Sequence, residues 1–121
     1  MRWVAVLLIA SFPALAHHGG ANYDIEHPIT LTGTVTQFEL INPHSLLRFC
    51  VKNADGTVAN WLAVWAPPQV LMRMGWRADT LKPGDRITIT GGPAKDGHKS
   101  LSPMRIVGES GKVLFAAEGG G

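Results

Sequence analysis

Five histidines carry most of the chemistry this sequence offers: His17, His18, His27, His44 and His98. None interrupts an apolar alternation; all fall in arms, turns or loops. His98, within Asp-Gly-His-Lys-Ser, reads as an ordinary surface residue. His17 and His18 are adjacent and follow Ala14-Leu15-Ala16, a small-x-small stretch of the kind cut on export. After a cut behind Ala16, His17 becomes the first residue. One α-amine and two imidazoles then lie within a single residue of each other. Nitrogen-rich sets suit copper(II), which heads the divalent affinity series. An α-amine titrates near ~7.7–8.0, so a metal displaces its proton at little cost near neutrality. His27 or His44 is expected to fold back and complete the set. His44 follows Pro43 in a turn, which makes it the better held of the two.

The cut itself is legible. Met1–Ala16 has a single charge, Arg2, then the apolar run Trp3–Ala10, then a Ser-Phe-Pro break and Ala-Leu-Ala. That is the layout of a signal peptide. The apolar run falls far short of the ~20 residues that a membrane-spanning helix needs. Residues 1–16 are therefore expected to be removed, and the remainder to work in the periplasm or outside the cell. No second apolar run follows, so no membrane span is expected in the processed chain.

Other chemistries find little footing. There is no Gly-x-Ser-x-Gly, no His-Glu-x-x-His and no phosphate-cradling glycine loop, which favours a binding module over an enzyme. The formal charge is +2, and Lys and Arg are scattered singly, so nucleic acid is not the expected partner. Cys50 is the one cysteine, which rules out an intrachain disulfide. Its place in an alternating run suggests a buried, inert thiol.

The elements that must position these residues follow from pattern. Residues 17–29 are polar and read as an arm. Thr30–Leu40 is rich in β-branched residues and reads as a long strand. Leu31, Gly33 and Val35 share one phase and Phe38 and Leu40 the other, as a β-bulge would produce. Ile41–Ser45 is a turn, and Leu46–Lys52 a second strand. Asp55-Gly56 is a strong hairpin signal leading into a third strand, Val58–Ala66. Pro67-Pro68 opens one short helix ended by Gly75. A fourth strand around Ile87 and Ile89, a loop over 91–100, and a fifth strand carrying Pro103 come next. Val113–Phe115 suits a short sixth strand, and 116–121 a disordered tail. Leu31, Val35, Leu47, Phe49, Leu62, Val64, Ile87, Ile89 and Ile106 are the expected core. This order predicts an all-β domain with one short helix over residues 30–115. The expected form is a five- to six-stranded Greek-key barrel like that of oligonucleotide/oligosaccharide-binding (OB) domains.

Several stretches in fixed order, "ALAHH", "PITLTGTVTQFELINPH", "ADGTVANW", "GWRADTLKPGDRITITG" and "AKDG", resemble a family of small exported bacterial proteins classed as a domain of unknown function. The resemblance runs from Ala14 to Phe115. It implies an exported domain without an established activity and supplies no catalytic residues. Leu46 and Leu47 stand where aromatic residues are common in that family, so a ligand lying there would differ in this chain.

Two functions from different classes remain. One is a transition-metal binder, copper first, using His17, His18 and His44 or His27. The other is a metal-free module for a small ligand or an unidentified periplasmic partner, working through the strand 2–3 face at Trp61, Trp65 and Arg48. Both rest on export. The protein recovered outside the cytoplasm is expected to begin at His17 when its intact mass is measured. A stable species still carrying Met1 would remove the location and the terminal chemistry together.

Overall fold

The first strand decides how the chain closes. In a computed structural model, which describes residues 22–117, β1 (Ile29–Glu39) pairs antiparallel with two different strands. Its first half, Ile29 to Thr34, lies along β4 (Arg86–Pro93). Its second half, Thr34 to Glu39, lies along β2 (Leu46–Lys52). The β1–β2 register shifts between Val35 and Gln37. One residue, Thr36, is extra, so the alternation resets there as the phase of the sequence predicts. Val35 is thereby 1% exposed, and Phe38 still packs against the core. Gly33 makes the bend fit. A Cβ on it would lie 2.5 Å from the Cys50 carbonyl oxygen and 3.0 Å from the Phe49 ring.

A hairpin with Gly56 at φ 88° joins β2 to β3 (Val58–Val64). The short helix α1 (Pro68–Arg73) follows, with proline in its first turn and Gly75 at φ 95° behind it. Strands β4, β5 (Ser100–Gly108) and β6 (Val113–Ala116) complete the chain. The sheet order is β3-β2-β1-β4-β5-β6, and β3 also pairs with β5. That last pairing is parallel and joins Leu62 to Ser100 and Ala63 to Leu101. Five strands therefore close into an OB-like barrel, and β6 extends it beyond β5. Pro103 falls where the β4–β5 register shifts, Gly91 facing Pro103 and Thr90 facing Arg105, so Met104 is the extra residue.

The core is built from Val35, Leu47, Phe49, Ile87, Ile89, Leu101 and Ile106, each 2% exposed or less. Leu71 of α1 is fully buried, and Trp76 and Leu81 behind the helix join the same cluster. Phe38, Trp65, Trp76 and Phe115 meet edge to face or tilted, with ring centroids 4.9 to 6.2 Å apart. Such rings gain from their quadrupoles as well as from burial.

Three expectations need correction. The facing of β3 is the reverse of the one read from sequence: Ala59, Ala63 and Trp65 are buried, whereas Leu62 and Val64 are half-buried on the outside. The register with β2 is the cause. Leu47 and Phe49 must point inward, and they stand opposite Ala63 and Trp61. β4 also runs on through Gly91-Gly92-Pro93, residues assigned to a loop, because Gly91 and Gly92 lie too close to other backbone for side chains. Finally, Cys50 is half-buried on the outer face, not buried.

The reversed facing has a measurable consequence. Leu47→Ala should cost about 2–5 kcal/mol in equilibrium unfolding, because a fully buried leucine leaves a cavity. Leu62→Ala should cost about 1 kcal/mol, since half-burial removes only part of its surface from water. Equal costs would return Leu62 to the core.

Candidate functional site

The parallel β3–β5 pairing is short, and the surface opens beside it. One cleft of about 690 Å³ has Leu62 and Val64 on one wall and Lys95, Asp96, His98, Lys99 and Ser100 on the other. A second of about 550 Å³ lies toward the end of β3, between Val64–Pro67 and Ser102-Pro103, with His44 and Phe115 at its margin. Asn22, Tyr23 and Val64 border both. A third of about 300 Å³ is bordered by Thr36, Arg48, Asn60, Trp61, Leu62 and Lys99.

The arm is seated against this seam by several bonds. The backbone of Tyr23 bridges Ala94, Asp24 N–H donates to the Pro93 carbonyl at 2.8 Å, and Lys95 N–H donates to the Asn22 carbonyl at 3.0 Å. The Tyr23 hydroxyl and Ser100 Oγ are 2.9 Å apart. Gly92 makes this approach feasible, because a Cβ there would lie 2.9 Å from the Asp24 and Ile25 backbone.

The histidines separate. His17 and His18 lie outside the described residues, as does the whole of the expected signal peptide. His44 is half-buried at the second cleft, with Nδ1 3.1 Å from the Trp65 carbonyl. A carbonyl only accepts, so Nδ1 carries the proton in that bond. His27 is not at either large cleft. Its Nδ1 stands 3.1 Å from both oxygens of Asp24, and its side chain is 79% exposed. His98 pairs with Asp96 at 2.8 Å and borders the first cleft. Among the described residues, no three or more His, Cys, Asp or Glu side chains gather in a way that could hold a metal ion.

The expected strand 2–3 face survives only in part. Arg48 is exposed and borders the third cleft, whereas Trp61, also at that cleft, is half-buried opposite Phe49 and packs against the core. Trp65 leaves that face altogether: it is 5% exposed, inside the aromatic cluster. Two buried polar atoms near the His44 corner, Ser45 Oγ and Trp65 Nε1, have no hydrogen-bond partner among the described residues. The backbone of Ser45 is tied on both sides, to Ala66 and Trp65 at 3.0 Å each. Sequence reasoning missed Asn22, Tyr23, Lys95 and Lys99. The Gly91-Gly92 pair was the one local sign that another stretch of backbone lies close by.

Five strands closed by the β3–β5 pairing, with β6 beyond them, define an OB-like β-barrel domain. The chain belongs to the family of unknown function DUF6152, which it matches over residues 5–102. That span takes in Ala-Leu-Ala-His-His and all of β1 to β4, and ends in β5. None of the curated proteins compared with the chain matches it.

Two carboxyls have displaced titrations: Asp24 in the arm, and Asp96 on the wall of the first cleft. The His27 ring, hydrogen-bonded to Asp24 and adding its charge, holds that carboxyl below the usual 3.8, and Lys95 adds a smaller pull. Asp96 is lowered by the backbone N–H of His98 and then by its ring. A lowered folded-state pKa means a contribution present above the ordinary carboxyl value and lost as pH falls through the folded one. The Asp24 carboxyl should therefore titrate below 3.8 when followed by NMR, and His27→Ala should move its midpoint back toward that value. No movement would show that the His27 contact does not persist in solution.

Proposed function

We propose that this protein is an exported, periplasmic binding module, not an enzyme. In this reading it holds a transition metal, copper(II) in the first place, where its processed N-terminus meets the His44 corner of the barrel. The observation that carries the reading is that Asn22 and His44 border the same cleft. Asn22 lies five steps along the chain from His17, and an extended chain spans at most ~3.3–3.6 Å per step, roughly 17 Å in all. The α-amine, His17 and His18 are thus tethered within reach of that corner. The hydrogen bond from His44 Nδ1 to the Trp65 carbonyl orients the ring, as backbone carbonyls commonly do for metal-binding histidines. With no group of three candidate ligands among the described residues, the terminus would supply most of the donor set. His27, engaged with Asp24 and away from that cleft, takes no part in this arrangement.

Copper(II) titration of two proteins tests the reading, one beginning at His17 and one extended by Met-Ser. The processed form should bind at least about tenfold more tightly, equivalent to about 1.4 kcal/mol. His44→Ala should weaken the processed form while its thermal melting confirms that the barrel is intact. Equal binding by the two proteins would eliminate the terminal amine as a ligand and, with it, the proposal.

A further inference from the structure

The short helix α1 gives one side to the core and leaves the other bare. Pro68 and Leu71 are buried. Val70, Met72 and Met74 are 42% to 50% exposed. Seven large apolar side chains are exposed among the described residues, and these three fall within five consecutive positions. The other four are scattered, one each in the arm, the β1–β2 turn, β3 and β6. An apolar side chain exposed singly needs no explanation, whereas a group of them marks an interaction surface. The charge beside this group has one sign. Arg73 lies in the last turn of α1. Arg77 folds back on the helix end, its Nη1 donating to the Trp76 carbonyl at 2.8 Å and to the Met72 carbonyl at 3.3 Å. Residues 68–78 include no Asp or Glu, and among the described residues neither arginine has a carboxylate within salt-bridge distance. The surface also lacks a groove. No residue of 68–78 borders any of the three clefts described above, or the two beside Arg86 and Glu109.

We infer that the α1 end of the barrel docks on an anionic membrane surface. Val70, Met72 and Met74 enter the boundary between headgroups and acyl chains, and Arg73 and Arg77 meet the lipid phosphates. The pairing of apolar side chains with unopposed cations is what selects this occupant. A partner helix buries its apolar face in a groove, which α1 does not offer. A bilayer interface instead yields around side chains that project from a short helix. Methionine suits that setting, because its unbranched, flexible side chain adapts to irregular surroundings. A contact made by a few side chains is peripheral and reversible. It uses none of His17, His18 or His44, so it stands or falls independently of the metal reading.

Flotation with phospholipid vesicles tests the assignment. The chain beginning at His17 is used, because the apolar run Trp3–Ala10 would enter lipid by itself. Vesicles of equimolar phosphatidylglycerol and phosphatidylcholine should carry the protein upward, and added salt should release it, because exposed charges are screened. Phosphatidylcholine alone should bind at least about fivefold more weakly, and Arg73→Gln should lose about fivefold on the anionic vesicles, the worth of one cation at such a surface. Val70→Ser/Met74→Ser should lose at least about tenfold through its missing apolar surface, while melting like the parent. Val58→Ser, at an exposed apolar residue on β3, should change nothing. Absence of binding, equal binding to the neutral vesicles, an equal loss from Val58→Ser, or tighter binding of an acidic amphipathic peptide than of the vesicles would each overturn the assignment.

Discussion

Two residue pairs turn this sheet into a barrel. Leu62 and Ala63 meet Ser100 and Leu101 in parallel, with Leu62 N–H donating to the Lys99 carbonyl at 3.0 Å. Every other pairing between the strands is antiparallel and would exist in an open sheet. Closure is what encloses Leu47, Phe49, Ile87, Ile89 and Ile106 on all sides. Its brevity also makes the clefts. Beyond Ala63 the β2 side of β3 stays bonded, through Trp65 and Ala66 to Ser45, whereas on the β5 side Pro103 has no N–H to offer. The strands part there, and the surface between them becomes available to a ligand.

The closure works only because β1 can belong to two halves of the barrel. The extra residue at Thr36 resets its alternation, and the missing side chain at Gly33 allows β2 to cross at close range. A side chain at Gly33 would push directly on the Cys50 carbonyl, which is backbone and cannot rotate away. The aromatic cluster then seals the end of the barrel under α1, bringing together rings from β1, the end of β3, the segment after the helix and β6. Ser45 and Trp65 join the β1–β2 turn to that seal, and His44 is held at its edge.

Much of this was legible because it is local. The β-branched run of β1, the fault between Val35 and Phe38, the Asp55-Gly56 hairpin and the proline-started helix are each signalled by residues within a few positions of one another. The facing of β3 was not, since both of its faces are apolar. Leu62 and Val64 are the larger aliphatics, yet partners on β2 place Ala59 and Ala63 inside, where little room is left beside Leu47 and Phe49. The clefts were still less legible. They depend on an arm that lies against residues far along the chain, and on a lone tyrosine whose hydroxyl meets Ser100. His44 was recognisable because Asn-Pro-His announces a turn, while its bond to the Trp65 carbonyl spans elements that no local pattern connects.

The bare surface of Gly92 has a bearing on the order of assembly. Asp24 and Ile25 lie on it, so the first described residues of the chain rest on a strand that is made among the last. The same holds for β1 against β4 and for β3 against β5. A topology dominated by such distant pairings belongs among slow-folding β-barrels, on a scale of about milliseconds to seconds. During synthesis the arm therefore has no resting place until the β4–β5 hairpin exists. Until then residues 22–25 stay open to whatever else the unfinished chain meets.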